Sequence, residues 1–227
     1  MASYYSGKRA VSYNQSWKTF SQKTLAATVA AIDLTSLQDI SQMQGRQLRV
    51  LDVACGTGML LAQLAQRLPE AELHGLDASA DMLAQACQLF ADHPRTHFVQ
   101  ASLSGAAMAG LPYEPASFDL ITCTNALHYL DNPRAVLQGL QRLLTPQGQL
   151  VIEDYARRGF PFPWRPFEWL VKRVSPQYIQ AYTLSEASSL CQDAGLNVVA
   201  ARKISIDALW QGWVIRGRFD PAVNSST

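Results

Sequence analysis

Ten residues, Leu51-Asp52-Val53-Ala54-Cys55-Gly56-Thr57-Gly58-Met59-Leu60, restrict this chain more than any other stretch. An apolar run carries a carboxylate at its end, a tight turn with two glycines follows, and a helical pattern then begins. That order reads as strand, sharp loop and helix N-terminus, the layout of a nucleotide pocket in an α/β fold. The glycines let the backbone bend and let a ligand approach without a Cβ in the way. Elsewhere apolar runs keep alternating with helical patterns, which predicts a parallel sheet covered on both faces.

The details of the loop select the ligand. A dinucleotide fingerprint needs G-x-G-x-x-G, so that a pyrophosphate can sit on bare amides at the helix start. Here Gly56 and Gly58 are followed by Leu61 where the third glycine belongs. Asp52 beside the loop would repel a pyrophosphate and would suit a ligand with positive charge and no phosphate. S-adenosylmethionine, with its ammonium and sulfonium, fits that description. The next apolar run, Glu72-Leu73-His74-Gly75-Leu76-Asp77, ends on an acid nineteen residues after Gly58. A carboxylate there can accept from both ribose hydroxyls, a service any adenosine ligand needs. The competing account of each acid is a helix N-cap or a solvated loop end.

Strands are predicted at 50–53, 73–76, 96–99, 118–122, 149–152, 197–201 and 213–216. Helices are predicted from Thr57 to Arg67, from Ala80 to Phe90 behind a Ser79 cap, from Pro133 to Leu144 behind Asn132, and from Leu184 to Ala194, started by Ser185 and ended by Gly195. Two segments fall outside the alternation. Residues 1–47 hold a helical pattern around Thr24–Ile32, and residues 156–183 are rich in aromatics and proline, including Phe160, Pro161, Phe162, Trp164, Phe167, Trp169, Tyr178 and Tyr182. Ligands of open α/β sheets bind beyond the carboxyl ends of the strands. An insertion after the fifth strand would lie over that crevice, so both segments are read as a lid over an apolar acceptor pocket, although any one aromatic could simply pack the insertion onto the sheet.

The chain of 227 residues suits one large domain, and a net charge of +1 without a basic tract argues against nucleic-acid binding. Cys55, Cys87, Cys123 and Cys191 lie far apart, which reads as reduced thiols in a cytoplasmic protein. The histidines show no metal-ligand spacing, so no metal is expected, and no apolar run suggests a membrane span.

At these motifs the chain resembles the class I S-adenosylmethionine-dependent methyltransferases, in particular the small-molecule branch that includes quinone and sterol methylating enzymes. LDVACGTGMLL looks like the family's first motif, with Ala54 where a glycine is common; GLDASADMLAQA looks like its second; LPYEPASFDLITCTNALHYLDNP and LLTPQGQLVIEDY look like the fourth and fifth strand regions. The resemblance implies an α/β, Rossmann-like doubly wound, mostly parallel seven-stranded sheet with an antiparallel strand. It divides the chain into an N-terminal helical cap (1–47), an S-adenosylmethionine-binding domain (48–155 and 184–219), a lid insertion (156–183) and a flexible tail (220–227). It also implies roles for residues: Asp52 on the methionine ammonium, Ala54, Gly56 and Gly58 around the methionine and ribose, Asp77 with Ala78 at the ribose, Met82 against adenine, Ser102 and Leu103 flanking adenine, Asn125 near the methionine end, and Tyr13 over the cofactor carboxylate. The family's usual adenine-contacting acid is Ser102 here.

Methyl transfer is an in-line displacement, in which orientation alone is worth roughly 7–11 kcal/mol. A general base adds about 10²–10⁴-fold for a phenol or alcohol acceptor. His128, in the loop after the fourth strand, is the candidate base, with packing or helix capping as its competing role; Tyr129 is a second candidate. Glu153 and Asp154 could orient an acceptor or pair with Arg157 or Arg158. The acceptor is expected to be a small, apolar or aromatic molecule, with transfer to O, N, S or C left open. An NAD(P)-dependent oxidoreductase and a non-catalytic S-adenosylmethionine-binding partner protein are the alternative functions.

Overall fold

The computed structural model describes residues 5–105, 107–159, 162–175 and 177–219. The expected tail at 220–227, and Phe160 and Pro161 of the insertion, lie outside these residues. Along the chain run α1 (Lys8–Ser16), α2 (Lys18–Ala31), α3 (Leu34–Gln44), β1 (Arg49–Val53), α4 (Met59–Arg67), β2 (Glu72–Asp77), α5 (Ala80–Leu89), β3 (Thr96–Gln100), β4 (Phe118–Thr124), α6 (Pro133–Leu143), β5 (Leu144–Tyr155), α7 (Trp164–Val174), α8 (Leu184–Asp193), β6 (Leu196–Ser205) and β7 (Gln211–Phe219).

The strands form one seven-stranded sheet in the order β3-β2-β1-β4-β5-β7-β6. All pairings from β3 to β5 are parallel, and β7 runs antiparallel to both its neighbours. This is the doubly wound sheet that the apolar alternation predicts. The order reverses between β1 and β4, where an open α/β sheet leaves its crevice.

Alternation along each strand sends side chains to two cores. Leu51, Val53, Ile121, Cys123, Leu150 and Ile152 meet α6 and α8 on one face. Val50, Leu120, Val151 and Val214 meet α2, α3 and α4 on the other. Beyond the strand ends a third cluster joins Tyr155, Trp164, Tyr178, Ala181 and Ile206, with Phe20, Phe167 and Trp210 packed against it.

Several boundaries depart from the sequence reading. Helix α4 begins at Met59 rather than Thr57, because Gly58 caps it in the left-handed region at φ +79°. Strand β5 begins at Leu144 rather than Gln149 and takes in Pro146-Gln147-Gly148. Its register jumps from Phe118–Leu144 to Leu120–Gln149, so residues 145–148 form a bulge between two paired points. Helix α8 starts from Thr183, not Ser185: the Thr183 side chain accepts from the Glu186 amide while Glu186 reaches back to the Thr183 amide. Ser79 and Asn132 cap α5 and α6 as the sequence suggests, accepting from the amides of Met82 and Ala135. The N-terminal segment is three helices, where the pattern showed one.

Candidate cofactor and acceptor cavity

One cavity of about 490 Å³ lies beyond the carboxyl ends of β1, β2, β4 and β5. Its first wall is built by the turns that follow β1, β2 and β3, with the start of α5. Ala54, Gly56, Asp77, Ala78, Met82, Ala101 and Leu103 line it. Asp77 is held from both sides: Oδ2 accepts the Gly56 amide at 2.9 Å and Oδ1 accepts the Ser79 amide at 2.8 Å. Burial raises its pKa while these amides pull it back down. The carboxylate is thus locked in one orientation at the cavity wall, with lone pairs left for hydroxyl donors. Ala54 occupies the left-handed region at φ +55°, which explains why a glycine is common at this point of the motif.

The structure brings Tyr13, Ala54, Gly56, Asp77, Ala78, Met82, Leu103, Asn125 and His128 to this one cavity. It does not bring Asp52, Gly58 or Ser102 to its wall. Asp52 shares a strand face with Val50, so it points toward the α2 side of the sheet rather than out of its end. It is 3% exposed and accepts from Thr122 Oγ1 at 2.7 Å. Burial, with Asp77 nearby, pushes its pKa up to about 7. Gly58 serves packing: a Cβ there would lie 3.2 Å from Phe90 and 3.3 Å from the Ala86 Cβ. The amides of both glycines are already engaged, Gly56 with Asp77 and Gly58 with the Cys55 carbonyl. After β3 the side chains continue to alternate, so Ala101 and Leu103 face the cavity and Ser102 between them faces solvent.

The middle of the cavity is where β4 ends. Asn125 sits at φ +54°, and its Nδ2 donates to Thr24 Oγ1 at 3.0 Å, while its buried Oδ1 has no partner. His128 is 3% exposed, and Asp154 engages it twice. The ring Nδ1 lies 2.7 Å and 2.9 Å from the two Asp154 oxygens, and the His128 amide donates to Oδ2 at 2.9 Å. A carboxylate at Nδ1 keeps the ring proton there and leaves Nε2 as the proton acceptor. The pairing of Asp154 with Arg157 or Arg158 is not what forms. Arg157 pairs with Glu186, and Arg158 donates to the Ala208 and Leu209 carbonyls.

Glu153 shares the α2-side face with Val151 and is fully buried, and neither carboxyl oxygen has a hydrogen-bond partner. Burial and the adjacent Asp154 raise its pKa well above the usual carboxylate value. A carboxyl whose folded pKa exceeds its unfolded one loses stability as pH rises through that interval. Glu153→Gln will therefore match the parent near pH 4 and become the more stable of the two as pH rises, by about 1.4 kcal/mol for each pH unit over which the unfolded carboxyl is ionised and the buried one is not. Thermal denaturation of both proteins across pH checks this; melting curves that stay parallel would refute it.

The far wall is apolar: Trp17, Phe20, Tyr155, Phe167, Leu170, Val171, Val174 and Trp210. Trp210, in the β6–β7 connection, joins it together, with ring centroids 6.0 Å from Phe20, 5.0 Å from Tyr155 and 5.2 Å from Phe167. Asp207 fixes that connection by accepting the amides of Leu209 and Trp210. Sequence reasoning placed the pocket aromatics in 156–183 and missed Trp17, Phe20 and Trp210. It also missed Asp154 as the partner of His128, and Arg9 and Tyr5 on the wall.

The fold is shared with methyltransferases of known structure, and residues 51–150 match the methyltransferase domain family. The chain is 29% identical over 195 residues to a ubiquinone biosynthesis O-methyltransferase of Paracidovorax citrulli, covering 83% of this chain and 78% of that one. It is 40% identical over 114 residues, 49% of its own length, to an uncharacterized Synechococcus protein of which it spans only 26%. A phosphoethanolamine N-methyltransferase of Haemonchus contortus, in complex with phosphomonomethylethanolamine and S-adenosylhomocysteine, shares the fold with a TM-score of 0.62 at 15% identity, over 82% of this chain and 52% of that one. Over residues 51–150 the chain carries a methyltransferase domain, and S-adenosylmethionine is the cofactor that such a domain uses.

The residues fit that cofactor on their own chemistry. The fixed Asp77 carboxylate could accept from the hydroxyls of a ribose, Met82 and Leu103 offer apolar surface to a base, and Asn125 lines the same cavity at the end of β4. Among the described residues no group of side chains could hold a metal ion, and no helix is long and apolar enough to cross a membrane.

Proposed function

We propose that this chain methylates a hydroxyl group of a small, apolar or aromatic acceptor. One observation supports the reading above others: a histidine oriented by a buried aspartate lines the same cavity as the fixed Asp77 carboxylate and the aromatic wall. Asp77 would hold the ribose, Met82, Ala101 and Leu103 the adenine, and Asn125 and Tyr13 the methionine end. Asp52, behind the wall, would act on the ammonium at most through water or through its field. When bound, S-adenosylmethionine supplies a methyl group on a good leaving sulfur, so the protein has no covalent chemistry of its own to perform.

The work left to the chain is orientation, exclusion of water and removal of one proton. The aromatic wall would set the acceptor ring in line with the methyl group. His128 Nε2 would take the hydroxyl proton as the bond to carbon forms, and Asp154 would stabilise the resulting imidazolium. The segments 1–47 and 156–183 would cover the site: α1 lies against α5 on one side of the cavity, and α7 lines the other. A relative named for O-methylation in ubiquinone biosynthesis agrees with an oxygen acceptor of aromatic character. The apolar wall suits neither a nucleic acid nor a pyrophosphate-bearing dinucleotide, and the chain's four unpaired thiols, three of them buried, suit the cytoplasm.

The test uses the full chain, methyl-labelled S-adenosylmethionine, and a panel of alkylated phenols, hydroquinones and amines. Label is expected in an ether product of a phenolic acceptor. Cofactor binding without label transfer to any acceptor or to a cell extract would favour the non-catalytic partner. Saturable binding of NADH in place of S-adenosylhomocysteine would favour the oxidoreductase.

A further inference from the structure

The mouth of the cavity is apolar and faces outward. Trp17, Leu170 and Val174 line the cavity and are also 42%, 53% and 66% exposed, so they form its rim. Two of them belong to α7, whose inward side is Trp164, Phe167 and Val171. Helical spacing then sorts the outward side into two adjacent stripes. Pro166, Leu170 and Val174 form one, and Arg165, Trp169 and Arg173 the other. Trp169 is 58% exposed, and the Arg173 guanidinium lies 4.3 Å from its ring centre. Lys172 adds a third exposed cation, and the one carboxylate of the helix, Glu168, accepts from the Tyr178 hydroxyl. The chain as a whole carries only +1, so this excess of positive charge is local.

An exposed apolar patch continuous with a ligand cavity marks an interaction site. A tryptophan flanked by arginines beside an aliphatic stripe matches the boundary of a bilayer, where the indole sits at headgroup level and the cations meet anionic lipid. We propose that the outward face of α7 docks on an anionic lipid surface, so that the acceptor enters the cavity from the bilayer through the rim of Trp17, Leu170 and Val174. This rests on the reading of the aromatic wall as the acceptor site. It narrows the substrate class to molecules dissolved in lipid. The helix spans nothing; it would lie in the interface plane with its axis along the surface.

The experiment measures co-sedimentation of the full chain with phosphatidylcholine vesicles, with and without phosphatidylglycerol, and quenching of tryptophan by acyl-brominated lipid. Binding is expected only with phosphatidylglycerol and should weaken as salt is raised. Arg165→Ser/Arg173→Ser should weaken it about thirty-fold, roughly five-fold for each charge removed. Trp169→Ser should lose most of the quenching. Neither variant touches the cavity, so S-adenosylhomocysteine affinity serves as the folding control and should not change. Equal binding to both vesicle types, binding to neither, or unchanged binding by the arginine variant would overturn the proposal. So would a dimer, seen by sedimentation equilibrium, that Trp169→Ser dissolves. Vesicle binding needs no methyl transfer, so its failure leaves the proposed reaction standing, and failure of the reaction leaves vesicle binding measurable.

Discussion

Asp77→Ala lowers S-adenosylhomocysteine affinity by about 10²–10⁴-fold. The estimate follows from two hydrogen bonds between ribose hydroxyls and a charged acceptor, each worth about 1.5–3 kcal/mol. The locked geometry makes this the largest binding effect expected anywhere in the chain. Both carboxyl oxygens are already oriented by the Gly56 and Ser79 amides, so the ligand pays little to order them. The substitution also orphans the Gly56 amide at the sharpest point of the loop, which loosens the wall itself. Asp77→Asn should fall between the two, since one oxygen remains. Calorimetric titration of each variant measures the effect; an affinity within a few-fold of the parent for Asp77→Ala would remove Asp77 from the cofactor site.

The second large effect is on turnover. His128→Ala and Asp154→Asn should each reduce kcat for a phenolic acceptor by about 10²–10⁴-fold while leaving S-adenosylhomocysteine affinity nearly unchanged. Asp154→Asn is the sharper experiment. An amide in its place can donate to Nδ1, which moves the ring proton to Nε2 and removes the base without removing the ring. An acceptor that arrives already ionised should recover much of the loss, which a purely structural role for the pair would not allow. Equal rates in parent and Asp154→Asn would show that His128 only packs the loop.

Most of the scaffold was legible because its determinants are local. The strand–loop–helix at 51–60, the caps at Ser79 and Asn132 and the acid at Asp77 each depend on a few neighbouring residues, and each is present. What escaped depends on direction or on distant pairing. The position of Asp52 was readable, but not that its side chain shares a face with Val50 and turns toward the α2 side of the sheet. Ser102 was placed at the right distance past β3 but on the outward beat of the alternation. The partner of His128 lies 26 residues away and becomes its neighbour only because β4 and β5 pair in parallel. Trp210 is remote in sequence from the aromatic insertion it completes, and no local pattern marks it.

The N-terminal arm has a kinetic consequence. It is fastened to the cofactor side of the molecule at three points: Ser79 Oγ donates to the Tyr5 carbonyl at 2.5 Å, the Gly7 amide donates to Asp81 at 2.6 Å, and Thr57 Oγ1 donates to Asn14 at 2.7 Å. All three grips lie on the loops and helix that frame the first wall, and Tyr13 between them lines the cavity. A nucleoside held under such a latch leaves only when the latch lifts. The pace of repeated cycles would then be governed by the release of spent nucleoside rather than by the bond-making step.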